Sequence, residues 1–281
     1  MHITIHHRTA YRYDKPVFLT THLFRLRPSG HSPAQPEAFT LTVTPSNIHF
    51  HWQQDVFGNF AARVDFMAPT SEMSVDVTFS TRLPDFNPFN FFTDEYALTY
   101  PFGYPETLCK DLFSCLEVNE YGPRLAALVE KARTYQGPTI NMMVNITAMI
   151  KREVAYTIRL DPGIQTSEQT LAKALGSCRD SAWLLVQLLR HLGLASRFVS
   201  GYLVQLSDSG GGDTVDLHAW TEVFLPGTGW LGLDPTSGLF AGNGHIPLAC
   251  TPRPEDAAPV QGTTDPCEST LVYQSSVTRR S

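Results

Sequence analysis

The sequence predicts an α+β fold: an antiparallel β-sandwich first, then a largely buried helix followed by an antiparallel hairpin. Three observations predict it. Residues 1–83 hold short apolar–polar alternations separated by turn residues. Residues 176–193 read as one helix with both ends marked. Residues 216–234 read as a hairpin of two strands, the first alternating clearly.

In the first part, Ile3–His6, Phe39–Val43, Ile48–Trp52, Ala62–Phe66 and Met73–Phe79 alternate, as half-buried antiparallel strands do. Asp55-Val56-Phe57-Gly58-Asn59 reads as a hairpin turn, with Gly58 or Asn59 at positive φ. Residues 84–106 carry Pro84, Phe86, Pro88, Phe89, Phe91, Phe92, Tyr96, Tyr100, Phe102 and Tyr104. A disordered linker lacks so many aromatics, so this stretch is expected to be an ordered connector packed across a domain seam. Gly122-Pro123 opens one helix and Gly137-Pro138 another, where proline's missing N–H costs nothing. Tyr156-Thr157-Ile158 looks extended. Residues 252–267 read as loop, and Leu271-Val272-Tyr273 as a final strand. The expected division is 1–106 for the sandwich with its connector, 107–250 for the core, and 251–281 for a C-terminal loop and strand.

Composition sets the bounds. The 281 residues are 42% apolar and 17% charged, enough apolar material for a real core. Lys and Arg total 21 against 27 Asp and Glu, a formal charge of −6, which speaks against nucleic acid or an anionic membrane as partner. No apolar run is long enough for a membrane helix, and the first residues, MHITIHHRTAYRY, lack a signal-peptide apolar region. The cytoplasm is the expected compartment. The five cysteines are 109, 115, 178, 250 and 267, an odd count without a C-x-x-C pair, so neither a disulfide framework nor a zinc ribbon is expected. In an exported protein Cys109–Cys115 and Cys250–Cys267 could pair, leaving Cys178 over.

Chemistry concentrates in GSCRDSAWLLVQLLRHLG at 176–193. Ser177 and Asp180 have capping-box spacing, with Asp where Glu or Gln is usual. Gly193 suits a left-handed C-terminal cap. Cys178 then sits at the first helical position, where the macrodipole and unpaired N–H groups favour a thiolate and can hold an oxyanion. A buried cysteine at a helix start is also common without any chemistry.

The downstream strands add partners. Ser196–Leu206 reads as a strand around Gly201. In Asp216–Leu225 (DLHAWTEVFL), His218, Trp220, Glu222 and Phe224 share one face. Pro226-Gly227-Thr228-Gly229 turns the chain into Trp230–Asp234, which Pro235 stops. The hairpin brings His218 beside Asp234. Cys178, His218 and Asp234 then form a nucleophile, a base and a group to orient the base.

Together these residues resemble the transglutaminase-like superfamily, in the papain-like class of cysteine enzymes. The matching stretches are GSCRDSAWLLVQLLRHLGLASRFVSGYL at 176–203 and DLHAWTEVFLPGTGWLGLDPTSG at 216–238. HRTAYRYDKPV at 7–17, RLRP at 25–28 and DVFGN at 55–59 resemble the β-domain that precedes the core in bacterial members. The resemblance implies a papain-like transglutaminase core and acyl transfer from a peptide or isopeptide amide through a Cys thioester, with no cofactor. It implies an upstream aromatic or amide side chain as second oxyanion donor, for which Tyr156 is the candidate. It casts Asp180 as helix cap and Trp220 as cleft wall. NPFNFF at 87–92 and GHIPLACTP at 244–252 resemble a branch in which such a segment is the front part of a longer protein, whose C-terminal region would be a partner.

Other readings stand beside it: a true cross-linking transamidase, or a peptide-binding module that keeps the fold without catalysis. Cys178, His218 and Asp234 could in principle hold zinc, but no fourth ligand lies at characteristic spacing and no metal is expected. His49 and His51 share a strand face and read as a solvated pair. Ser209-Gly210-Gly211-Gly212 lacks the Lys of a phosphate loop and reads as a flexible loop that could gate the cleft.

Overall fold

The computed structural model describes residues 1–85, 87–159, 161–207 and 212–280. Six strands come first: β1 (His2–Val17), β2 (His22–Phe24), β3 (Pro36–Thr44), β4 (Ile48–Gln54), β5 (Phe60–Phe66) and β6 (Thr70–Arg82). Alternation decides which face is covered. In β1, Ile3, Ile5, His7 and Thr9 are buried while His2, His6 and Arg8 face solvent. β6 runs antiparallel to both β1 and β3, setting Phe79 opposite Ile5 on one side and Phe39 on the other. β2 and β4 flank β5 in a second antiparallel sheet. Ile3, Ile5, Phe24, Leu26, Val64 and Phe79 form the shared interior. The DVFGN turn closes because Asp55 Oδ1 accepts the backbone N–H groups of Phe57 and Asn59, each at 2.9 Å, while Gly58 takes φ +81°.

The connector holds to the core rather than bridging a seam. Its strand β7 (Thr99–Tyr100) pairs with β8 (Gly137–Pro138). The Tyr104 hydroxyl donates to Phe224 O at 2.7 Å and accepts from Ala195 N at 3.0 Å. Phe89 lies 5.1 Å from Phe240, centroid to centroid. The Tyr104 ring packs with Phe224 and Trp230 while its polar tip bonds the backbone on either side. Phe86 lies outside the described residues.

The helices are α1 (Glu106–Asp111), α2 (Phe113–Leu116), α3 (Pro123–Arg133), α4 (Thr139–Glu153), α5 (Ser167–Lys173) and α6 (Cys178–His191). Short strands β9 (Ala155–Tyr156) and β10 (Leu175–Gly176) pair in parallel just before α6. The core sheet follows: β11 (Ser196–Gln205), β12 (Thr214–Leu225), β13 (Gly229–Asp234), β14 (Leu239–Phe240) and β15 (His245–Thr251), in the order β14-β13-β12-β11-β15. α6 is central. Its Leu184, Leu185, Leu188 and Leu189 pack with α3 and α4, while Ala182, Trp183 and Val186 pack on Phe198 and Ala219 of the sheet. Gly193 ends the helix at φ +77°, letting Leu194 N–H reach Leu189 O at 2.9 Å.

The C-terminal segment returns to the sandwich. β16 (Val260–Gln261) pairs with β2, and β17 (Ser269–Arg280) pairs with β1 from His2↔Arg280 to Tyr13↔Ser269. β17 runs far beyond Leu271-Val272-Tyr273. Its later residues are mostly polar, and Val277 is its buried member. It is an edge strand held by its backbone ladder, which a burial pattern does not reveal. Each sandwich sheet is thus completed by a strand from the chain's other end. Tyr202, Val204, Val215, Ile246 and Leu248 of the core join the sandwich's apolar cluster, so the two parts share one interior. Among the described residues no helix is long and apolar enough to cross a membrane.

Candidate active site

The start of α6 is fixed from below by Asp180, which is fully buried. Its Oδ2 accepts the Ser177 backbone N–H and hydroxyl, each at 2.8 Å. Arg159 adds two bonds of 3.1 Å, and the Gln165 backbone N–H another of 2.8 Å to Oδ1. Burial pushes this carboxyl up, but Arg159, Gln165 and Ser177 outweigh it and hold it well below the usual carboxylate range. Asp180 is therefore more than a cap: it ties the loop before α5 to the turn that presents Cys178. Cys178 itself is partly exposed at the first position of the helix. All five cysteines are free thiols.

The sheet supplies the partners. β12 and β13 pair from Leu225↔Gly229 to Thr221↔Leu233, which carries Asp234 towards His218. His218 Nε2 stands 3.2 Å from Asp234 Oδ2. That leaves Nδ1 for Cys178. Burial, the largest single influence, lowers the His218 pKa, yet the hydrogen bonds and charges of Asp234 and Cys178 together outweigh it and push it up to about 9. Asp234 Oδ1 accepts the Thr236 backbone N–H at 2.9 Å and its hydroxyl at 2.6 Å. Burial raises this carboxyl too, but His218, His245 and Thr236 hold it far below the ordinary range.

His245 is the residue that sequence reasoning missed. It opens β15, and its Nε2 lies 3.3 Å from Asp234 Oδ2. Gly242 donates its backbone N–H to His245 Nδ1 at 3.1 Å. Nδ1 therefore keeps its lone pair, and the ring proton sits on Nε2, aimed at Asp234. Asp234 thus receives two imidazoles at one oxygen and Thr236 at the other. The trio also has the spacing of a metal cluster. The proton that Gly242 fixes on His245 Nε2 makes it a hydrogen-bond network instead. The signal in the sequence was GHIPLACTP, which carried a resemblance and no role for the histidine.

Trp220, expected as a cleft wall, is instead only 1% exposed. Its ring lies behind His218 at 6.3 Å and 26° and meets His245 edge-on at 5.1 Å. The cause is Gly201 in β11, opposite His218: a Cβ there would stand 2.4 Å from the Trp220 ring. Glycine lets the indole fold flat over the strand and back both imidazoles. Tyr156, on β9 opposite Gly176, is 54% exposed. Its phenol pKa is raised, first by partial burial and then by the charges of Cys178, Asp216, Tyr273 and Asp234. The phenol therefore belongs to the same neighbourhood as the thiol. Ser209, Gly210 and Gly211 of the expected gating loop lie outside the described residues.

A thiol at a helix start, with an imidazole and a carboxylate on the adjoining antiparallel sheet, is the arrangement of the papain-like thiol enzymes. Residues 3–81 match the bacterial transglutaminase-like N-terminal region, and residues 126–235 match the transglutaminase-like superfamily. The chain belongs to that superfamily, in its bacterial form with a preceding β-domain. It is 25% identical over 277 residues to an uncharacterized protein of Mycobacterium tuberculosis, covering 91% of this chain and 85% of that one. An uncharacterized protein of Mycobacterium leprae is 24% identical over 262 residues, covering 91% and 90%. The crystal structure of a candidate cysteine protease from Cytophaga hutchinsonii superposes with a TM-score of 0.74 at 21% identity, covering 100% of this chain and 92% of that one, and shares its fold.

Proposed function

We propose that the protein is a thiol acyl-transfer enzyme that opens peptide or isopeptide amide bonds through a Cys178 thioester. The observation that carries this reading is His218, held through Nε2 to Asp234 and in hydrogen-bonding reach of Cys178. His218 takes the thiol proton, and the sulfur bonds to the amide carbonyl carbon. The oxyanion is held by backbone N–H groups at the start of α6 and by the Tyr156 hydroxyl. The tetrahedral centre collapses, the C–N bond breaks, and the imidazolium gives its proton to the leaving amine. Water or a second amine, deprotonated by His218, then attacks the thioester. The carboxylic acid or new amide leaves, and the sulfur regains its proton. Asp234 holds the His218 ring in one orientation throughout. A reducing compartment, the cytoplasm, keeps such a thiol working.

Substoichiometric iodoacetamide labelling near pH 6, mapped by peptide mass spectrometry, tests the reading. Ordinary thiols, with a pKa of about 8.5, label slowly there. Selective labelling of Cys178 that His218→Ala slows is the expected result. Labelling of Cys178 no faster than Cys109 or Cys267 in the folded protein would sink it.

A further inference from the structure

A second cluster of reactive side chains lies away from Cys178, where the sandwich meets the core sheet. His31 comes from the loop between β2 and β3, Glu222 from β12 and Cys250 from β15. His31 Nε2 stands 3.6 Å from Cys250 Sγ and 3.8 Å from Glu222 Oε1. One ligand atom from each residue lies within 4.8 Å of the others. Around tetrahedral zinc, with Zn–S of about 2.3 Å and Zn–N or Zn–O of about 2.0 Å, ligand atoms sit about 3.3–3.5 Å apart. The two separations from His31 need only a small contraction to match.

The surroundings fit a cation. Arg197 bonds Glu222 through Oε2, at 2.8 Å from Nε and 2.7 Å from Nη2, which leaves Oε1 for a metal. A ligating carboxylate with a hydrogen-bonded second oxygen is the usual outer-shell arrangement. The Arg197 charge opposes a dication, so moderate affinity is expected. The Ser29 hydroxyl, on a residue 1% exposed, lies beside the Cys250 sulfur. The backbone of Cys250 is itself anchored, its N–H donating to Asn59 Oδ1 at 2.9 Å. His31 has a half-exposed side chain, so the site opens to solvent on its side.

We propose that His31, Glu222 and Cys250 bind a zinc-class divalent cation that staples the sandwich to the core sheet. The mixed sulfur, nitrogen and oxygen set selects zinc or cobalt over calcium and magnesium. On binding, the Cys250 thiol loses its proton to solvent, the metal–sulfur bond forms, and solvent fills the remaining position. The sequence conceals this set because its members lie 31, 222 and 250 residues along the chain on three elements. The proposal is independent of the acyl-transfer reading.

The test uses the full chain carrying Cys178→Ser, so that the helix-start thiol cannot bind the probe, titrated with cobalt(II). The expected result is a near-ultraviolet thiolate-to-cobalt band that saturates at one equivalent and is erased by zinc but not by magnesium. Adding Cys250→Ser should abolish the band, and His31→Ala should weaken cobalt binding at least tenfold. Zinc should raise the melting temperature of the parent and not of His31→Ala. Should Cys250→Ser fail to fold, His31→Ala decides alone, because it only trims a half-exposed loop side chain. No band, a band that survives Cys250→Ser, or unchanged affinity in His31→Ala overturns the proposal.

Discussion

Replacing Asp234 by Asn exchanges one oxygen for an NH2 group and keeps the shape. Thr236 holds Oδ1 with bonds of 2.9 and 2.6 Å, so the amide oxygen stays there and Nδ2 turns to the two imidazoles. His245 already presents N–H at that point, because Gly242 occupies its Nδ1. His218 must then offer Nε2 as acceptor and carry its proton on Nδ1, where it can no longer take one from Cys178. Its pKa should fall from about 9 to below the ordinary 6.5, since the burial that lowers it remains. The gap of 9 − 6.5 = 2.5 pH units corresponds to roughly 3 kcal/mol. A raised histidine pKa stabilises the fold fully below pH 6.5, and that stabilisation is lost as pH rises through about 9. The native protein should therefore weaken by roughly 3 kcal/mol across that window, and Asp234→Asn should not. Amide turnover should drop about 10³–10⁴-fold, as in other triads that lose this carboxylate. Nitrogen-15 imidazole titration, with guanidinium melts at both ends of the window, reads these effects. A His218 that still titrates near 9 in the variant would refute the reasoning.

Three further outcomes are expected. Tyr156→Phe should cut amide turnover about 10²-fold while leaving iodoacetamide labelling of Cys178 unchanged; equal turnover would remove Tyr156 from the oxyanion role. Gly201→Ala sets a Cβ 2.4 Å from both Ile246 O and the Trp220 ring. Overpacking costs about 1–3 kcal/mol, and here it should also slow labelling of Cys178; a normal melt with an unaltered near-ultraviolet tryptophan signal would contradict this. Glu222 is buried, which raises its carboxyl, yet Arg197 and His31 hold it down at about 2, against an ordinary 4.5. Its stabilisation is present above pH 4.5 and lost as pH falls through 2. Arg197→Ala should cost about 3–5 kcal/mol by removing the arginine partner of that buried charge, and denaturant melts at neutral pH would measure it.

The readable parts of the fold are those where burial follows a simple period. β12 alternates because one face meets α6 and the other meets the seam, so His218, Trp220 and Glu222 could be placed on one face from spacing alone. The ends of α6 were equally open, since Ser177, Asp180 and Gly193 each perform a local backbone task. What stayed hidden depends on contacts far apart in sequence. His245 acts through a turn at Gly242 and through a neighbour on a non-adjacent strand. Asp180 draws Arg159 and Gln165 from a preceding loop. Trp220 looked like a cleft wall because its strand position was visible and Gly201, which lets it fold inward, was not linked to it. β17 escaped because an edge strand paired along its full length with β1 needs little burial of its own.

The site joins two layers, the helix α6 and the core sheet. His218, Asp234 and His245 ride on three strands of one sheet, backed by a single indole, so their mutual spacing is stiff. Cys178 rides on α6, whose own start is stiffened by Asp180. Nearest Cys178, helix and sheet meet through the Thr221 hydroxyl, which donates to Ala182 O at 2.8 Å, and through Ala182, Val186, Phe198 and Ala219; further along α6, Ser196 donates to Val186 O at 3.0 Å and the leucines pack on Val223, Leu225, Leu231 and Leu233. Side-chain volume at the positions nearest Cys178 therefore bears on the distance from sulfur to imidazole. Enlarging Ala219 would push helix from sheet without touching any of the three groups. Truncating Phe198 would let them sink together. Both changes should alter thiol reactivity before they unfold the chain, because close-packed layers pass a displacement on rather than absorb it.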